Sequence, residues 1–263
     1  MILRHRAALG GVQLDEVDER ILVLGVASSA AKESEVTANR EGNGQRYIRT
    51  KRESAEITVK VGLLIKKDDM EAREELMEQV VAWANSVPAW LTISQKPDRR
   101  IWVESVRLPA AGDPYEWTNE FTFTFKAMGV PYWQQKNASS AKISGSDASG
   151  SIEIGGNTET VANAEAQNIS GMTINNIIVG VGNSRLHFGD VGLGANETLV
   201  IDHTNNGTLR LRIRNSSGNY RSVMDKRIYY SSHDLYVKPG SAGIMVSAQR
   251  SVRLTVTCAG RFA

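Results

Sequence analysis

With 263 residues, 41% of them hydrophobic, the chain can build one large β domain or two medium ones. Its formal net charge of +2 excludes a global field that would draw it to nucleic acid or to an anionic membrane. Its single cysteine, Cys258, excludes an internal disulfide framework and a multi-cysteine metal site.

The first 27 residues give two short strands, Val12-Gln13-Leu14 and Ile21-Leu22-Val23-Leu24. Residues 28–53 show no apolar period, with Glu41-Gly42-Asn43-Gly44 near the middle, and read as a long loop that needs a partner to order it. From Ala55 to Ile65, the residues Ile57, Val59, Val61 and Leu63 alternate with Glu56, Thr58, Lys60 and Gly62, the period of a half-buried strand. A helix follows over about 69–87. Asp68 or Asp69 is its N-cap, Leu76, Val80, Trp83 and Val87 form its apolar stripe, and Pro88 is its stop. Trp90–Ile93 is a strand, Lys96-Pro97-Asp98-Arg99-Arg100 a turn, and Ile101–Leu108 a strand. Pro109–Pro114 reads as a loop. Trp117–Lys126 closes this half, with Phe121, Phe123 and Phe125 on one face, expected to lie against the helix stripe.

After Pro131-Tyr132-Trp133 the composition turns to Gln, Lys, Asn, Ser, Ala and Gly, so residues 134–149 read as a linker. Beyond it no helical period appears. Short strands recur between turns at Ser151–Ile154, Met172–Val181, Arg185–Phe188, Thr198–His203, Thr208–Arg214, Asp234–Val237, Gly243–Ser247 and Ser251–Cys258. That spacing predicts a jelly-roll β-sandwich. Cys258 alternates with Val256 and Leu254, which predicts a buried strand thiol. The domains are therefore expected at 1–133 and 150–263, joined by 134–149.

The whole chain resembles the siphophage distal tail protein family, the baseplate hub also called Dit. Three blocks carry the resemblance. The first runs from Ile57 to Trp102: strand, amphipathic helix, strand, Pro-Asp-Arg turn, strand. The second is Phe121–Phe125 followed by Gly129-Val130-Pro131-Tyr132-Trp133. The third combines Leu199-Val200-Ile201-Asp202 with Leu235-Tyr236-Val237-Lys238-Pro239-Gly240. The chain departs from the family at Ser241-Ala242-Gly243-Ile244, where Asn often follows the Gly. The resemblance implies an N-terminal split β-barrel with one packed helix, tail-tube-like, and a C-terminal galectin-like sandwich. It also implies a homo-hexameric ring between the tail tube protein and the tail-tip protein of a virion, with a receptor-binding protein as a further neighbour.

No residue is nominated for catalysis, cofactor binding or metal binding. His187 and His203 lie on strands near Asp190 and Asp202, but no nucleophile-elbow sequence and no short His/Cys ligand spacing accompanies them. The glycines at 180, 182, 189, 192 and 194 open no helix and so cradle no phosphate. The sequence points to a non-enzymatic assembly protein. Its candidate subunit-interface residues are Arg46, Arg49, Lys51 and Arg52, which close the long loop, and Glu71, Glu74, Glu75 and Glu78 on the helix. Arg210, Arg212 and Arg214 alternate along one strand face and read as a solvated face. The alternative function is recognition of a host cell-wall glycan by the sandwich, with Tyr229 and Tyr230 as contact candidates because sugar rings stack on aromatic faces. Asn168-Ile169-Ser170 and Asn206-Gly207-Thr208 match the N-glycosylation triplet but read as chance in an Asn/Ser-rich region. The first six residues lack a signal-peptide core, and no apolar run approaches the roughly 18 residues of a membrane span. Synthesis in the host cytoplasm and a place in the virion tail tip are the corresponding expectations.

Overall fold

A computed structural model describes residues 5–29, 33–39, 45–52, 54–66, 69–109, 119–228 and 231–263, with backbone alone for 33–39 and 45–52. Chain contacts divide it into two units, Met1–Trp133 (with Ala263) and Gln134–Phe262.

The first unit contains β1 (Ala7–Leu9), β2 (Val12–Gln13), β3 (Ile21–Ser28), β4 (Glu33–Asn39), β5 (Gln45–Arg52), β6 (Ala55–Leu63), α1 (Met70–Ala84), β7 (Ala89–Ile93), β8 (Lys96–Val103), β9 (Ser105–Arg107) and β10 (Glu120–Ala127). It is a split barrel of two antiparallel sheets, ordered β3-β6-β10-β9 and β2-β1-β7-β8, with one helix. The strand period puts Ile57, Val59 and Val61 of β6 and Phe123 and Phe125 of β10 wholly inside. Asp69 caps the helix by accepting from the Ala72 amide at 3.1 Å. Leu76, Val80, Trp83 and Ala84 form its buried stripe. Trp83 meets Phe125 edge to face, with ring centres 5.8 Å apart. Phe121 is only half-buried and lies under the Arg73 guanidinium, 5.4 Å from the ring centre.

Three expectations are corrected here. The helix ends at Ala84, before Val87, because Asn85 already caps it and the residue ahead of a proline resists helical geometry. The turn between β7 and β8 is Ser94-Gln95, since Ile93 pairs directly with Lys96. Pro97–Arg100 are strand residues at a bulge opposite Thr92, the kind of place where a missing N–H costs little. Residues 33–39 and 45–52 are not an unstructured loop. They pair as an antiparallel ribbon, Glu33 with Arg52 through Asn39 with Gln45. Strands with polar residues at nearly every position carry no apolar period, so the sequence pattern does not announce them. Glu41-Gly42-Asn43-Gly44 lies outside the described residues, as do residues 110–118, which hold most of the expected loop and Trp117.

β11 (Trp133–Gln135) leads into the second unit. That unit contains β12 (Ser139–Ile154), β13 (Thr160–Val161), β14 (Asn163–Asn168), β15 (Ile177–Val181), β16 (Ser184–Phe188), β17 (Thr198–His203), β18 (Leu209–Arg214), β19 (Tyr220–Ser222), β20 (Tyr236–Val237), β21 (Gly240–Cys258) and β22 (Arg261–Phe262). The expected linker is largely strand. β12 begins at Ser139 and pairs along its length with β21, itself 19 residues long where two short strands were expected. The pairing slips between Gly145 and Asp147. On either side of that slip β21 takes different partners: β15 along Ile244–Ala248, and β14 along Val252–Thr257. The two long strands therefore serve both leaves of a β-sandwich, bending at the slip. Ile154, Val179, Phe188, Ile201, Leu211, Val246 and Leu254 share one continuous core between the leaves. Val256, Leu254 and Cys258 face it together, as their alternation predicts. Burial pushes the Cys258 thiol up to about 11.

Asn168 is fully buried. Its amide donates to the carbonyls of Met172, Leu193 and Gly194 at 2.8–3.0 Å, and its Oδ1 accepts from the amide and hydroxyl of Ser170. The glycosylation triplet at this site is thus a structural knot, with no exposed acceptor.

Candidate functional site

The first candidate surface is the outer face of α1. Glu71, Glu74, Glu75 and Glu78 are all exposed on it. Asp18 and Arg20 sit beside it as a bidentate pair at 2.7–3.0 Å. The hydrogen bonds from Arg20 hold the Asp18 carboxyl down at about 2. Arg20 also reaches Glu75 at 4.0 Å. Among the described residues, Glu71, Glu74 and Glu78 have no basic partner. The helix thus presents an acidic stripe that is neutralised, among the described residues, at Glu75 alone.

Arg46, Arg49, Lys51 and Arg52 lie on β5, whose backbone pairs with β4. Their side chains are outside the described residues. Among those residues, β4 and β5 pair with each other and with no third strand. A ribbon of this kind is an appendage to the barrel sheets. Tyr229 and Tyr230 also lie outside the described residues.

The arginine strand is compensated within the subunit. Arg210 and Arg212 both pair with Asp202, Arg212 at 2.9 Å, and Arg214 pairs with Glu165 at 3.1 Å. The Arg212 guanidinium lies 4.3 Å from the centre of the Tyr220 ring. Cross-strand register explains the set: Asp202 of β17 stands opposite Arg210 and diagonal to Arg212.

His203 does not act with Asp202. Its Nε2 lies 2.9 Å from both carboxylate oxygens of Asp234, and its Nδ1 is 2.8 Å from Asn163 Oδ1. Both ring nitrogens are occupied, and the pair is almost wholly buried. Among the described residues no serine hydroxyl or thiol bonds to this ring, so His203 is not coupled to a nucleophile there. Nor does a group of three or more His, Cys, Asp or Glu side chains converge as metal ligands among them. No helix among them is long and apolar enough to cross a membrane.

Two features escape the sequence reading. On the outer face of the β7–β8 pair, Trp90 and Trp102 stand opposite each other with ring centres 5.3 Å apart, and Arg100 stacks 4.1 Å over Trp90. In the second unit, a cleft of about 340 Å³ is lined by Tyr236, Glu159, Asn183 and Lys238. The first depends on the register of one hairpin, and the second assembles residues far apart in sequence. The nearest signal was the Leu235–Gly240 turn, noted for its resemblance and not for its exposed tyrosine.

A split barrel with one packed helix, followed by a β-sandwich, is the fold of phage distal-tail hub proteins. The chain is similar over 97% of its length to 98% of the Dit protein of phage SPP1, with a TM-score of 0.65 and 13% identity; that protein is described as a paradigm of the hub adsorption apparatus in phages infecting Gram-positive bacteria. It is similar over 96% of its length to 97% of a chain of the phage p2 baseplate in its activated conformation with strontium, with a TM-score of 0.50 and 8% identity. No family model and no curated protein matches the sequence.

Proposed function

We propose that this chain is a distal tail protein, a non-enzymatic virion component that forms the baseplate hub of a long-tailed phage. The observation that carries the reading is the co-linear match of both units, in order, to the SPP1 hub over nearly the whole of each chain. A chance likeness of one β-sandwich would leave the helix-bearing split barrel unmatched. In this reading six copies close into a ring. The ring joins the tail tube protein to the tail-tip protein and supports the receptor-binding apparatus.

A cyclic ring uses two different patches per subunit. The acidic face of α1, at Glu71, Glu74, Glu75 and Glu78, supplies one patch. The β4–β5 ribbon, carrying Arg46, Arg49, Lys51 and Arg52, supplies a complementary one. The ribbon carries four basic residues against the two acidic ones Glu33 and Glu35, and the helix face carries four carboxylates, so opposite net charge favours this pairing between copies over pairing of either patch with itself. Purification under mild conditions, native mass spectrometry and negative-stain imaging test the reading. A six-membered ring is expected. A monomer that persists at all concentrations, with no ring in the images, overturns it.

A further inference from the structure

Three segments of the sandwich meet at the cleft beside Tyr236. Glu159 stands just ahead of β13, Asn183 sits at the β15–β16 turn, Tyr236 is on β20, and Lys238 leads towards β21. The frame under them is fixed. Thr160 pairs with Val237 and Val161 with Tyr236. The Ser184 hydroxyl donates to the Tyr236 carbonyl at 3.0 Å, and the Gly182 amide to the Gly243 carbonyl at 2.8 Å. The side chains above that frame are not committed. Tyr236 is 47% exposed, and Glu159, Asn183 and Lys238 are exposed as well. Among the described residues no hydrogen bond or ion pair engages the side chain of any of the four. The arginines of β18, by contrast, are all paired.

We propose that this cleft is a saccharide-binding subsite that takes one pyranose ring of a neutral glycan. The chemistry of the four groups is the reason. A pyranose presents a C–H face and a rim of hydroxyls that each donate and accept. The exposed face of Tyr236 covers the C–H face. Glu159 accepts from two hydroxyls, Lys238 donates, and the Asn183 amide does both. One carboxylate and one ammonium leave the cleft balanced in charge, which does not suit an anion. The volume of about 340 Å³ falls at the small end of ligand pockets, enough for a ring and part of a second. Gly243 keeps the floor open: a Cβ built there meets nothing within 4 Å.

The test uses the full chain. Amide resonances are followed by NMR during titration with the methyl glycosides of glucose, galactose and N-acetylglucosamine, up to tens of millimolar. At least one glycoside is expected to shift the amides of Asn183, Tyr236 and Lys238 with a millimolar Kd. Tyr236→Ala removes the platform, and Gly243→Leu fills the cleft from a strand position with room for a side chain; each should weaken binding at least tenfold. If Tyr236→Ala loses its dispersed spectrum, Gly243→Leu decides alone. Absence of shifts with all three sugars, shifts that map elsewhere, or binding unchanged in a folded variant each overturns the proposal. The hub reading stands apart from these outcomes, since it rests on ring formation.

Discussion

The Trp83 indole donates to the carbonyl of Val12 at 3.0 Å, across 71 residues of chain. The same ring stands edge-on to Phe125. One side chain thus ties the helix to the first β-hairpin by a hydrogen bond and to the β10 strand by packing. Trp83→Phe keeps most of the packing and loses the bond, at a cost of about 1 kcal/mol because water can reach the freed carbonyl. Trp83→Ala leaves a hole in the core and should cost about 3–5 kcal/mol. Urea unfolding of the two variants beside the parent protein measures both.

The Asn168 knot predicts a sharp difference between near-isosteres. Asn168→Asp turns the amide that feeds three carbonyls into a carboxylate facing them, fully buried. It should destabilise the sandwich by about 3–5 kcal/mol near neutral pH, in the range for an uncompensated buried charge. The penalty should shrink in acid, where a protonated Asp can again donate one bond. Thermal unfolding at two pH values reads this out.

Cys258 should be silent to thiol reagents in the native protein and react only when the sandwich opens. Its folded value of about 11 lies above the ordinary 9.0. The sign follows: the folded protein holds the proton more tightly, so the contribution is complete below pH 9 and is lost as pH rises through about 11. The size is on the order of 2 kcal/mol. Cys258→Ala should flatten the alkaline limb of the stability profile while costing little at pH 7.

Because the β4–β5 ribbon pairs with no third strand among the described residues, we expect the barrel to fold without it. Replacing residues 33–52 with a short Gly/Ser turn should leave the unfolding free energy within about 0.5 kcal/mol of the parent. In the hub reading it should also lower the oligomeric state. Arg49→Glu combined with Arg46→Glu should do the same, and Glu74→Lys on the helix should partly restore the ring. Native mass spectrometry at low and high salt separates these outcomes, since contacts between exposed charges weaken as salt rises.

What the sequence disclosed follows from where each element buries its side chains. β6, β10 and α1 each bury one face, so Ile57, Phe123 and Leu76 fall at the right period and were read correctly. The start of β12 lies at a sheet margin with most of its side chains exposed, and Ser139–Gly150 accordingly reads as a linker. The ribbon strands are polar at nearly every position, so their sequence carries no period to read. The acidic stripe of α1 was legible because helical spacing alone groups Glu71, Glu74, Glu75 and Glu78. The pairing of His203 with Asp234 was not, because it depends on two strands that meet only in the folded sandwich. The cleft around Tyr236 was hidden for that reason too: its four side chains come from three segments.

The long β21 strand has a consequence for timing. It is the hydrogen-bonding partner of β12, β14 and β15, and it leaves the ribosome after all three. Until residues 240–258 emerge, those three strands lack the neighbour that completes them, so the sandwich has no stable half-built form to rest in. The first unit can settle early while the second waits for residues 240–258, and a nascent chain stalled between Val181 and Gly240 carries β12, β14 and β15 with their shared edge unpaired.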